Sequence, residues 1–335
     1  MAALPIIDLR EIGSPDELAA ELLRVGKDPG FFYLVGHRVS ADIFDVCRDF
    51  FSNTPLAEKK VYWTESGDKG YTGMRDESLA GKGNGDLKES FYIASEKICP
   101  DQQLPPKLQE NREQIEEFIS QCENTARILL EGFALGLELK SNFLSKHHGG
   151  KCNRLRLIHY PEVPFTAPDS PISTTEATPQ PDTQTNSFDE KTDIRAGAHS
   201  DYGSLTLLFQ QATDQGGLQV LQHGGVWRDV PYLEDAIVVN IGDALEFWTS
   251  GQLRSTVHRV VFPRTAAESG SRFSIPFFVQ PDAEVLLAPL PLSGTRAEVE
   301  ERASRFQCVL QEKGYREADP ITAGEHLRRR LQATY

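Results

Sequence analysis

Residues 199–209 read His-Ser-Asp-Tyr-Gly-Ser-Leu-Thr-Leu-Leu-Phe, and the rest of the chain is best interpreted outward from them. On an extended backbone, side chains two residues apart share a face, so His199 and Asp201 point the same way and can share one ion. Gly203 and the β-rich run 205–209 set the pair at a strand edge or turn. A lone histidine in β-rich sequence is ordinarily a core or surface residue, and HxD alone is a weak motif.

A second segment strengthens it. The apolar run Ile237-Val238-Val239-Asn240-Ile241 ends at Gly242-Asp243, a turn signal, and β-rich runs continue at 244–248 and 255–262. Adjacent strands are therefore expected to return His258 to the HxD pair, with a satisfied sheet histidine as the competing reading. Two imidazoles and one carboxylate form the ligand set of a non-haem Fe(II) site that leaves one face open for O2 and substrate.

The third segment is Arg272-Phe273-Ser274, after an expected hairpin turn at 265–270. A guanidinium and a hydroxyl on one strand face suit the capture of a carboxylate. A buried arginine must be paired, because an uncompensated charge in a low-dielectric pocket costs several kcal/mol. A small-molecule carboxylate meets that need; a structural ion pair is the bland alternative. Together the three segments describe an iron oxygenase with an organic-acid co-substrate.

Composition narrows the field. The 335 residues are 39% apolar, enough for a substantial core, and the formal charge of -14 argues against nucleic acid and anionic membranes as partners. Arg328-Arg329-Arg330 reads as a solvated helix end. No apolar run approaches the roughly 20 residues of a membrane helix, and the start MAALPIIDLR lacks a signal pattern, so the expected location is cytoplasmic. Five scattered cysteines form no CxxC pair and are expected to be reduced thiols that leave the metal alone.

Residues 4–9 read as a strand, Ser14-Pro15-Asp16-Glu17 as a capped helix start, and 30–37 as a buried strand. Helical periodicity covers 40–60 and 107–147, short β-rich runs fill 153–160, 204–209, 217–222, 236–241 and 272–279, and helical sequence returns at 295–313 and 322–332. The expected organisation is a helical region at 1–150, a closed or sandwiched β-core at 151–285, and a helical segment at 286–335, all wrapped into one body. The Pro-, Thr- and Ser-rich stretch 162–194 is too polar for a core and reads either as a lid at the site mouth or as a passive insertion.

Over nearly its whole length the chain resembles the isopenicillin N synthase-like branch of the Fe(II)/2-oxoglutarate-dependent dioxygenases. Leu4-Pro5-Ile6-Ile7-Asp8, Gly30-Phe31-Phe32-Tyr33 and Gly36-His37 resemble its N-terminal region, and 153–280 resembles its catalytic core. The resemblance implies mixed α and β structure: a distorted double-stranded β-helix, or jelly roll, wrapped by N-terminal and C-terminal helices. It implies that His199, Asp201 and His258 form the facial triad for Fe(II). It further implies that Arg272, Ser274 and Tyr160 hold the distal carboxylate of 2-oxoglutarate.

Succinate and CO2 would accompany hydroxylation, desaturation or cyclisation of a small molecule by O2. The intact Asp201 speaks against halogenation, since halogenating relatives carry a small residue there. Ile158 and His159 stand where many plant relatives have Asn and Tyr, and the turn between His258 and Arg272 is longer than usual. Isopenicillin N synthase uses an equivalent Arg, Ser and Tyr set on a substrate carboxylate, so an oxidase without 2-oxoglutarate stays open, as does a non-catalytic binding protein. Position alone suggests that Lys88, Phe91, Tyr92, Phe209 and Trp248 line the substrate pocket, which points to a hydrophobic metabolite, and that Asp243 orients the imidazoles. Oligomeric state is left open.

Overall fold

The computed structural model describes residues 4–64, 67–80, 85–94, 99–163, 194–213, 215–265, 268–315 and 320–334. Of the polar stretch 162–194, only 162, 163 and 194 fall among them, so its expected role lies outside the described residues. The N-terminal elements are β1 (Ile6–Asp8), α1 (Pro15–Lys27), β2 (Phe31–Val35), α2 (Ile43–Asn53), α3 (Leu56–Lys60), β3 (Gly70–Thr72), β4 (Glu89–Ile93), α4 (Pro106–Glu110), α5 (Arg112–Gly136) and α6 (Asn142–Ser145). The β-rich part contains β5 (Arg154–Tyr160), β6 (Ala196–His199), β7 (Leu205–Gln210), β8 (Leu218–Leu221), β9 (Trp227–Asp229), β10 (Ala236–Ile241), α7 (Asp243–Trp248), β11 (His258–Val260) and β12 (Arg272–Val279). Then come β13 (Leu286–Leu287), α8 (Arg296–Glu312), β14 (Ile321–Thr322) and α9 (Ala323–Thr334).

The strands form an eight-stranded sheet in the order β1-β2-β10-β7-β12-β5-β4-β3 and a four-stranded sheet in the order β6-β11-β8-β9, the two layers of a jelly roll. Side-chain alternation tells which face of the large sheet is which. On β12, Phe273, Ile275, Phe277 and Val279 join the main core under the helices, while Arg272, Ser274, Pro276 and Phe278 line the cavity between the sheets. On β7 the core takes Leu205, Leu207 and Phe209, and the cavity takes Thr206, Leu208 and Gln210.

Helix α5 covers the outer face of this sheet. Its buried residues Ile115, Phe118, Ile119, Cys122, Ala126, Leu129, Leu130 and Phe133 recur at helical spacing, each large one contributing about 1.5–3 kcal/mol of burial. Helix α1 packs against it, capped as expected by Ser14, whose hydroxyl accepts from the Glu17 amide. Gly132 is required at this crossing, since a Cβ there would sit 2.5 Å from Leu22 Cδ1. Among the described residues no helix is long and apolar enough to cross a membrane.

Three expectations need correction. Residues 244–248 lie in helix α7, with apolar Ala244, Leu245, Phe247 and Trp248 at helical spacing, a pattern too short to separate from a strand by sequence. Strand β11 pairs with β6 and β8 in the small sheet, so His258 returns to the HxD pair from that sheet and not as a neighbour of β10. Because β12 belongs to the large sheet, the 265–270 segment crosses between sheets instead of closing a hairpin; residues 266 and 267 lie outside the described residues.

Candidate active site

Strand pairing sets the site. His258 on β11 is the register partner of His199 on β6, and the two rings lie 4.3 Å apart between centroids. Asp201 follows two residues after His199, in the turn that leads into β7. Its Oδ1 is 3.7 Å from His199 Nε2 and 3.6 Å from His258 Nε2. The ligand atoms of the three residues all lie within 4.8 Å of one another.

Every remaining polar atom of this trio is already engaged. His199 Nδ1 is 2.7 Å from the Gly197 carbonyl and His258 Nδ1 is 3.2 Å from the Thr256 carbonyl. A carbonyl only accepts, so each Nδ1 carries a proton and each Nε2 is the ring nitrogen turned to the common point. Thr206 Oγ1 and Asn240 Nδ2 donate to Asp201 Oδ2 at 2.6 and 2.7 Å, which leaves Oδ1 for a metal. Burial and the neighbouring His258 push the His199 imidazole down to about 3, so it stays neutral. Burial opposes ionisation of Asp201, but the neighbouring His258 and the donors Thr206 and Asn240 outweigh this and hold its carboxyl below the usual range. A preformed set of two imidazole nitrogens and one carboxylate oxygen fits Fe(II).

The turn after Asp201 is held tightly. The amides of Asp243 and Ala244 donate to the carbonyls of Asp201 and Gly203, and a Cβ on Gly242 would lie 2.2 Å from Gly203 O. The start of α7 therefore locks the metal-binding turn in place through backbone contacts that only glycine permits.

Two chambers meet at His199 and Asp201. The first also contains His258, Arg272, Ser274 and Tyr160. Arg272 and Tyr160 are register partners across β12 and β5, with the guanidinium 4.6 Å from the centre of the phenol ring. Arg272 is buried, makes no ion pair among the described residues, and its Nε has no hydrogen-bond partner. Burial lowers its pKa, and no carboxylate among the described residues compensates its charge. The site thus suits the carboxylate of a bound organic acid, which Arg272 can grip with two parallel hydrogen bonds.

The second chamber shares Arg156 and Phe278 as well as the metal-binding pair with the first, and is lined further by Glu77, Tyr92, Tyr202 and, from α9, Leu327 and Leu331. Arg156 donates to Glu77 at 2.6 Å and lies 4.4 Å from the Tyr92 ring centre. Lys88 pairs with Glu77 at 2.7 Å and with Asp86. Burial opposes the charge on Glu77, yet Arg156 and Lys88 hold it far below the ordinary range. Asp86 accepts from the Gly197 amide, so the charged cluster also supports strand β6, whose Gly197 carbonyl orients His199.

Strand alternation corrects the expected substrate residues. Phe91 and Tyr92 are consecutive on β4 and so face opposite ways: Tyr92 reaches the chamber while Phe91 is fully buried in the main core. Phe209 shares the core face of β7 and packs on Phe118, and Trp248 on α7 packs against His147 and His148. Lys88 does line the first chamber. Asp243 touches neither imidazole; it binds Lys313 and Ser255 instead. The residues that orient the ligands, Thr206 and Asn240, escape sequence reading. Each is a polar residue on the cavity face of an otherwise apolar strand, and that is the available signal.

Comparison with known proteins agrees with this chemistry. The 2OG-Fe(II) oxygenase superfamily model matches residues 153–281, and the model for the N-terminal region of non-haem dioxygenases in morphine synthesis matches 4–117. UPF0676 protein C1494.01 of Schizosaccharomyces pombe is 34% identical over 99% of this chain and 92% of its own length. Homoarginine-6-hydroxylase 2-ODD-C23.1 of Arabidopsis thaliana is 30% identical over 87% of this chain and 88% of its own. A full-length Neurospora crassa protein, crystallised in complex with alpha-KG and thymine, superposes with a TM-score of 0.76 at 27% identity, covering 99% of this chain and 97% of that one. A converging His-Asp-His set, a buried guanidinium awaiting an anion and these similarities lead to one assignment: the chain belongs to the 2OG-Fe(II) oxygenase superfamily.

Proposed function

We propose that this oxidoreductase acts on a small polar molecule held in the second chamber, with 2-oxoglutarate held in the first. His199 Nε2, His258 Nε2 and Asp201 Oδ1 would hold Fe(II), and Arg272, Ser274 and Tyr160 would hold the distal carboxylate of 2-oxoglutarate. When bound, Fe(II) and 2-oxoglutarate would supply O2 activation coupled to decarboxylation of the oxo acid to succinate and CO2, for oxidation of a substrate C–H bond. The chain's own part is to keep both imidazoles in the Nδ1-protonated form, keep one Asp201 oxygen available, and fix the oxo acid by its far end. The observation that carries the reading is the buried Arg272, without an ion pair among the described residues, beside the converging triad.

A polar substrate is supported by the buried Glu77 and Arg156 side chains lining the second chamber beside Tyr92 and Tyr202. Their mutual ion pair keeps charged, hydrogen-bonding atoms at the chamber wall, which suits a ligand that carries polar groups of its own. The homoarginine in the Arabidopsis relative's name and the thymine in the Neurospora structure are both polar nitrogen compounds. The described cysteines are all free, which supports a reducing, cytoplasmic location.

Anaerobic addition of 2-oxoglutarate to the Fe(II) protein should produce a metal-to-ligand absorption band, and aerobic turnover should release succinate. His199→Ala and Asp201→Ala should abolish both while the protein stays folded. Neither band nor succinate in the wild type would overturn the reading. A library of polar nitrogen compounds, screened by succinate release, would identify the substrate.

A further inference from the structure

Lys313 follows the last residue of α8, yet its Nζ reaches into the β-core. It lies 3.0 Å from Ser200 Oγ, 2.5 Å from Asp243 Oδ1 and 3.1 Å from Glu246 Oε2. Ser200 stands between His199 and Asp201. The same Asp243 oxygen accepts from Ser255 Oγ at 2.7 Å, and the adjoining Thr256 carbonyl receives His258 Nδ1–H. The Asp243 amide donates to the Asp201 carbonyl at 2.8 Å. One buried Lys–Asp pair therefore touches both segments that carry metal ligands.

The pair also fastens the C-terminal helices. His326 of α9 has Nε2 3.6 Å from Asp243 Oδ2, and its Nδ1 is 2.5 Å from Tyr315 Oη, just beyond Lys313. None of these side chains lines either chamber, so their effect on the site passes through Ser200 and the 255–258 segment.

We propose that Lys313, acting with Asp243, is a positioning residue for the metal centre: the pair holds the segment at Ser200 and the segment 255–258 in the arrangement that brings His199, Asp201 and His258 together. The inference rests on reading those three residues as the iron ligands. A buried ammonium with three donors suits the task, because it fixes a carboxylate and a serine hydroxyl in one geometry while neutralising Asp243.

The test is anaerobic titration of the full-length apo protein with Co(II), whose visible bands report ligand geometry, well below the melting temperature. Lys313→Gln alone leaves the Asp243 charge buried, so the decisive variant is Lys313→Gln with Asp243→Asn, which removes that pair and leaves only Glu246, whose carboxyl burial already pushes toward its neutral form. Phe306→Ala, in the buried face of α8, serves as the control for plain destabilisation. The double variant should bind Co(II) roughly ten- to a hundredfold more weakly with shifted bands. Phe306→Ala should lower Tm without moving either. A double variant with wild-type affinity and bands overturns the positioning role, as does Phe306→Ala with the same metal defect as the double variant. Failure of the wild type to bind Co(II) at the triad would instead remove the underlying site assignment.

Discussion

Thr206 and Asn240 face each other across β7 and β10 and donate to the same oxygen of Asp201, at 2.6 and 2.7 Å. The large sheet thus presents the carboxylate, while the small sheet presents both imidazoles, and the metal point lies between the layers. Replacing Asn240 by Leu leaves a buried carboxylate oxygen short of a donor, a penalty of about 1–3 kcal/mol. It also frees Asp201 to rotate. Fe(II) affinity should fall roughly ten- to a hundredfold, measured by anaerobic calorimetry on protein shown to be folded. Unchanged affinity would mean that Asp201 is held by other contacts.

Arg272 supports a prediction with two opposite signs. In the apo protein its buried charge has no compensating partner among the described residues. Arg272→Met should therefore stabilise the apo protein, by about 1–4 kcal/mol if it follows other buried charges replaced by apolar side chains. The same change should abolish stabilisation by 2-oxoglutarate, which in the wild type should reach about 2.7 kcal/mol at a hundred times Kd. Denaturant melts of both proteins, with and without the oxo acid, would check both signs, with iron content expected to stay constant.

These two cases show what the sequence discloses. Runs 154–160, 205–210, 236–241 and 272–279 are legible because each carries enough large apolar or β-branched residues to mark a buried strand. Strands β6, Ala-Gly-Ala-His, and β9, Trp-Arg-Asp, carry no such mark; their pairing is imposed by neighbours. Arg272 and Ser274 are legible as a same-face pair because a two-residue spacing on a strand is a statement about facing, whereas Asp201 lies in the turn after β6 and His258 is brought in by strand pairing. Lys313 is not legible, since its partner Ser200 lies in another part of the chain and only folding brings them together. Phe91, Phe209 and Trp248 are misplaced by sequence reading for a related reason: aromatic character alone does not say which face of the sheet or helix meets the site.

Facing also predicts how two consecutive residues differ. Phe91 is fully buried in the main core, so Phe91→Ala should cost about 3–5 kcal/mol of stability and leave the Fe(II) and 2-oxoglutarate affinities of the folded fraction unchanged. Tyr92 borders the second chamber under Arg156, so Tyr92→Leu should cost less than about 2 kcal/mol. It should instead uncouple succinate release from substrate oxidation. Equal stability losses for the two variants would contradict the alternation on β4.

His148 gives a pH dependence that can be isolated. Its Nδ1 is 2.8 Å from the Leu144 carbonyl and its Nε2 2.8 Å from Ser204 Oγ, so the ring is held neutral with Nδ1–H donating and Nε2 accepting. Burial lowers its pKa from 6.5 to about 4. Between those values the unfolded chain binds a proton that the native protein does not, and stability must fall as pH drops from 6.5 toward 4. Above pH 6.5 neither state is protonated and the dependence vanishes. The loss should reach roughly 2–3 kcal/mol by about pH 4, beside the contributions of other groups. His148→Gln removes the titrating ring, so its urea-derived stability should decline less steeply than the wild type's across this window. A parallel decline in the two proteins would mean that His148 exchanges protons freely in the native state and that its bond to Ser204 does not hold it neutral.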